Sequence, residues 1–186
     1  RLLPYTFSTD EKTRDFVKQT FNRIAARQTS TGGFALWDDY RSTHTQASLF
    51  ASQVLIEGVQ SGILTKELLP RVVGFLDLVA TSTNPNDRPE AAYAAFLLGE
   101  AKSTQRAIHA ARNLLVTNKT DPAAYLAATT LVLNGIADEG APIMKDYLQA
   151  NPYPQPLLEY YPNTTTAQAM TLYFAMRAGV ISPEEI

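Results

Sequence analysis

At 186 residues the chain suits one domain, or a piece of one, and is long enough to bury a core several side chains deep. Sixteen basic against 18 acidic residues leave a formal charge of −2 with neither sign gathered into a block, so nucleic acid and other polyanions are poor partners. Cysteine is absent, which removes disulfides, thiolate metal ligands and cysteine nucleophiles from consideration.

The apolar periodicity is helical throughout. Ser8 and Glu11 form a capping box ahead of Phe16, Val17, Phe21, Ile24 and Ala25, predicting a first helix that ends near Gln28. Ser42 or Thr43 opens a second helix through Leu49, Phe50, Val54 and Leu55 to a glycine stop at Gly62. Thr65 caps a third, carrying Leu68, Leu69, Val72, Val73, Leu76 and Val79. Asp87 and Glu90 make another capping box for a fourth, from Ala91 to Leu98, with its stop at Gly99.

Ser103 or Thr104 begins the fifth, with Ile108, Ala111, Leu114 and Leu115 as its stripe. Asp121-Pro122 pairs an N-cap with proline at the first helical position, opening a sixth that runs to Gly135. A seventh, shorter helix holds Ile143, Tyr147 and Leu148. The prolines of Asn151-Pro-Tyr-Pro-Gln-Pro156 then force a loop, and an eighth helix spans Thr164 to Ala178, stopping at Gly179. No stretch alternates with period two for long enough to make a strand. The least charged run, between Asp121 and Asp138, is too short and polar to cross a membrane.

The charges sort these helices into two kinds. The second, fourth, sixth and eighth are rich in alanine and nearly uncharged inside, whereas the first, third, fifth and seventh carry most of the helical charge. A helix apolar nearly all round is covered on both sides, and one with a charged face lies outside, so the alternation predicts two layers. The stops at Gly62, Gly99, Gly135 and Gly179 fall 37, 36 and 44 residues apart, the mark of a stacked array of helix pairs. The expected fold is therefore all-α: a two-layered array over residues 1–186, forming one helical domain or a fragment of a larger multidomain protein. It either runs on as an open superhelix or closes, wholly or in part, as an α/α toroid, and periodicity alone does not choose between them.

Candidate sites are few. Gln28-Thr-Ser-Thr-Gly32-Gly33-Phe34-Ala-Leu-Trp37 is the most specific string and holds the single tryptophan. It reads as a structural turn, with a glycine supplying positive φ while Phe34 and Trp37 cover the ends of neighbouring helices, and it resembles the turn between paired helices in terpenoid-cyclase-like α/α toroids. Asp38 and Asp39, with Tyr40 and Glu159-Tyr160-Tyr161, compose an alternative: an acidic, aromatic cleft in which two carboxylates act as acid and base on a sugar. Solvated turn carboxylates are the plainer account of the same residues. His44 suits a cap or a packing contact before a base, and His109 suits an outer, partly exposed position. Asn118-Lys-Thr120 and Asn163-Thr-Thr165 match glycosylation sequons, a weak signal. Walker, dinucleotide, zincin and nucleophile-elbow motifs are missing, and neither a cofactor nor a metal is expected.

Arg23-Ile-Ala-Ala-Arg27-Gln28, the turn from Gly32 to Asp38, and Glu57-Gly-Val-Gln-Ser-Gly62-Ile63-Leu64 together resemble bacterial α2-macroglobulin-like proteins. The similar part there is the thioester-type domain, an α/α ring. Ala91-Ala-Tyr93-Ala-Ala-Phe96-Leu-Leu98, Leu131-Val-Leu-Asn-Gly135 and Thr166-Ala-Gln-Ala-Met170 fit the same domain. The resemblance implies a non-enzymatic part of a protease trap, periplasmic or attached to the cell envelope. Its partners would be the other domains of the same polypeptide and, through the full-length protein, target proteases. Members of the family with a Cys-x-Glu-Gln motif bond covalently to the protease, and that motif would stand upstream of the glycine turn. We read this chain as a fragment that either begins after the motif or belongs to members without it.

Overall fold

The computed structural model describes residues 11–37, 42–151 and 164–182. Those residues are organised by eight α-helices and two short 3-10 turns. They are α1 (Glu11–Ala26), α2 (Thr45–Gln60), α3 (Leu69–Ala80), α4 (Arg88–Glu100), α5 (Thr104–Thr117), α6 (Pro122–Leu133), α7 (Ala137–Ala150) and α8 (Thr164–Arg177), with 3-10 turns at Lys66–Leu68 and Pro85–Asp87. The chain divides into two compact units, Arg1–Leu76 and Asp77–Ile186, with the boundary inside α3. Among the described residues the only β-type pairing is an isolated bridge between Gln28 and Phe34, and no helix is long and apolar enough to cross a membrane.

In the first unit α1 packs on α2. Phe21 is the buried anchor of α1. It lies over Gly58 of α2, where an added Cβ would come within 3.0 Å of its ring. The inward side of α2 is Ser48, Leu49, Ser52, Leu55 and Ile56, and Val72, Phe75 and Leu76 of α3 are buried as well. The Ser8 half of the first capping box lies outside the described residues.

The second unit is built around α6. This helix buries every residue from Ala123 to Leu131 and packs against α5, α7, α4 and α8. The next most enclosed is α4, with Ala91 to Leu98 all buried. Around them α5 and α7 are amphipathic, burying Ala107, Ile108, Ala110, Ala111, Leu114 and Leu115 on one and Gly140, Met144 and Tyr147 on the other. The small side chains of α4 and α6 are what allow this enclosure, because alanine faces let neighbouring backbones approach on all sides. At Gly140 an added Cβ would run into the Ala128 carbonyl and come within 2.7 Å of Val132 Cγ2. The α6–α7 crossing therefore requires a residue without a side chain.

The expectation that all four even helices are covered on both sides holds for α4 and α6, is met in part by α2 and fails for α8. The other side of α2 is half-buried at Gln46, Gln53 and Glu57, and α8 leaves Met176 exposed. The seventh helix is also longer than its few apolar residues predicted: Pro142 sits in its second turn without ending it.

The even helices nevertheless stop in one way. Gly62, Lys102, Gly135 and Gly179 all have positive φ. The residue after each donates its N–H to the carbonyl five positions back: Ile63 to Gly58, Ser103 to Leu98, Ile136 to Leu131 and Val180 to Ala175, at 2.8–2.9 Å. These are Schellman stops, which return orphan carbonyls of the last turn to a hydrogen-bonded state. Gly99 is not one of them. It lies inside α4, where a Cβ would come within 2.6 Å of Asn134 Nδ2, so its glycine serves the close approach of Asn134 from the end of α6.

Candidate functional site

The glycine-rich turn is the best-defined constellation that the sequence singled out, and it belongs to the first unit. After α1 ends, the Thr29 N–H donates to the Gly33 carbonyl at 2.8 Å, and the Gly32 N–H to the Thr29 carbonyl at 3.0 Å. The Ala35 N–H reaches back to the Arg27 carbonyl at 3.1 Å, and the Gln28 side-chain amide donates to the Gly32 carbonyl at 2.9 Å. Gln28 thus closes the loop from inside.

Both glycines are obligatory by close approach. Gly32 has φ +86°, and a Cβ on it would strike the Arg71 carbonyl of α3. On Gly33 a Cβ would strike the Thr43 methyl and the Phe75 ring.

The turn is fixed to the start of α2 by Phe34 and a ring of hydroxyls. Phe34 donates its N–H to Ser48 Oγ at 2.7 Å, while the Ser48 hydroxyl donates back to the Phe34 carbonyl at 3.2 Å. The same carbonyl accepts from the His44 N–H. Thr29, Thr31 and Thr43 bring their hydroxyl oxygens within 2.8–2.9 Å of one another. His44 is the N-cap of α2, its Nδ1 accepting from the Ala47 N–H at 3.3 Å. That bond takes one ring nitrogen as an acceptor and makes the capping role the observed one.

The two aromatics of the string part company. Phe34 is 3% exposed, as expected for a core residue, but Trp37 is 66% exposed, with Leu36 also open. The expectation that Trp37 covers helix ends is corrected on this point. Beyond the backbone tie at Ala35, the Leu36 carbonyl accepts from Arg27 Nη1 at 3.2 Å on the exposed side of the turn.

Asp38, Asp39 and Glu159, the residues of the alternative acidic cleft, lie outside the described residues, as do Tyr40, Tyr160 and Tyr161. His109 is exposed and faces Asn113 Nδ2 at 3.2 Å. Among the described residues no three His, Asp or Glu side chains are grouped so as to hold a metal ion.

Two clusters in the second unit escaped sequence reasoning. At the first, Arg88 of α4 donates through Nε and Nη2 to the Asp121 carboxylate at 2.7 and 3.3 Å. It also donates to the Leu114 carbonyl, Thr117 Oγ1 and the Asn118 carbonyl at 2.7–2.8 Å. Asp121 at the same time caps α6 through the Ala124 N–H at 2.7 Å. Asn118, the sequon residue, donates to this carboxylate and accepts from Thr120. The Asp121-Pro122 start was legible; its distant arginine was not.

At the second cluster, the buried Tyr125 hydroxyl donates to the Thr171 carbonyl of α8 at 2.7 Å, and its ring lies 4.8 Å from that of Tyr147. Burial, with Tyr147 beside it, pushes the Tyr125 hydroxyl far above the usual tyrosine range. Tyr147 is raised too, by burial first and by the Asp121 charge second. Both phenols stay neutral and act as packing groups.

The turn and the two clusters spend their polar atoms on joining helices. No protein-family model matches the chain, nor does any curated protein or solved structure.

Proposed function

We propose that this chain forms the thioester-type helical domain of a bacterial α2-macroglobulin-like protease trap and contributes to it by packing and conformational coupling, without catalysis of its own. The observation that carries the reading is the turn from Gln28 to Phe34. The residues on which the resemblance is sharpest use their amides, carbonyls and side chains to lock α1, the turn and the start of α2 together. Such a turn is an architectural part of a ring of helix pairs, and the four matching Schellman stops are what a repeating pair would produce. On this proposal the array closes as an α/α toroid. The other domains of the polypeptide pack around it, and the protein resides in the periplasm or at the cell envelope.

The test is capture. The full-length protein containing this chain is incubated with active endoproteases or with the same proteases irreversibly inhibited, and retained protease is measured after size separation. Retention only after cleavage of the full-length protein is the expected result. Retention regardless of cleavage would favour a helical-repeat docking scaffold instead, and no retention across a panel of proteases of different specificity would overturn the trap.

A further inference from the structure

We draw no further inference here: the strongest candidate, the exposed Leu36–Trp37 patch at the end of the glycine-rich turn, is an unpartnered apolar surface, and nothing in the structure shows what covers it.

Discussion

Replacing Arg88 by alanine tests whether the second unit is held together at the α4–α5–α6 corner. The guanidinium serves the Asp121 carboxylate, a threonine hydroxyl and the Leu114 and Asn118 carbonyls. Both carbonyls stand at the end of α5, where the helix has no amides of its own left to offer. The Arg88 side chain is 15% exposed and that of Asp121 27%. The ion pair therefore lies between a surface pair, worth about 0–1 kcal/mol, and a buried one, whose breaking costs about 3–5 kcal/mol. With the carbonyls left partly out of reach of water, a loss of about 3 kcal/mol is expected, or about 6–12 °C in Tm for a chain of this size.

Urea unfolding followed by far-ultraviolet circular dichroism reads this as a lower midpoint at unchanged slope. Arg88→Lys keeps the charge but lacks the planar fork, and about 2 kcal/mol of the loss should remain. The control is Arg112→Ala. Arg112 makes an equally good fork on Glu139, at 3.0 and 2.5 Å, but with side chains 50% and 44% exposed. Its removal should leave the midpoint nearly unmoved. An Arg88→Ala shift no larger than that of Arg112→Ala would refute the reasoning, because geometry alone would then have decided and burial would have counted for nothing.

Three further outcomes follow from the packing. Gly140→Ala should destabilise by about 1–3 kcal/mol despite the better helix propensity of alanine, since the new methyl meets the Ala128 backbone. Gly74→Ala in α3 meets nothing within 4 Å and should stabilise by about 0.5–1 kcal/mol, so thermal melts of the two variants should move in opposite directions. Phe34→Ala should cost about 3–5 kcal/mol and Trp37→Ala less than about 0.5 kcal/mol; equal midpoints in urea would overturn the assignment of Phe34 as the aromatic that anchors the turn. The raised Tyr125 and Tyr147 hydroxyls set an alkaline limit. Unfolded tyrosine ionises near pH 10, so the stability these two rings contribute is complete below that value and is lost as pH rises from there through the higher folded values. Denaturation midpoints should fall more slowly above about pH 10 in Tyr125→Phe than in the parent, and identical slopes would remove Tyr125 as the source.

What was legible in the sequence is what neighbouring residues decide among themselves. Asp121-Pro122 announced the start of α6 because the cap and its amide are three residues apart, and the structure places that bond at 2.7 Å. The capping box at Asp87 had the same local pattern and did not form. Its carboxylate is taken by the Ser82 hydroxyl at 2.8 Å and the Asn84 amide at 3.0 Å, and the chain enters α4 through a 3-10 turn instead. Thr65 is a similar case: it makes no cap bond, and its hydroxyl holds the Glu67 carboxyl below its usual range. In each failure a second local acceptor or donor of equal reach was present, and the one-dimensional pattern has no means of ranking the two.

Gly99 shows where that limit turns from local to tertiary. Read along the chain it is a helix stop like Gly62, 37 residues on. In the fold this glycine lies three residues before the stop and faces the Asn134 side-chain amide from the end of α6. The helix therefore runs on, and Lys102 takes the left-handed conformation at φ 64°. A side-chain-bearing residue adopts that conformation at a cost of about 1–3 kcal/mol, unless its surroundings impose it. Here they do: the Schellman bonds of Lys102 to Gly99 and Ser103 to Leu98 reproduce those at the three glycine stops. The repeat is conserved in hydrogen bonding rather than in residue type. A period counted in glycines therefore locates the helix pairs while misplacing one of their ends, and the Arg88–Asp121 pair, 33 residues apart, was invisible to any local pattern for the same reason.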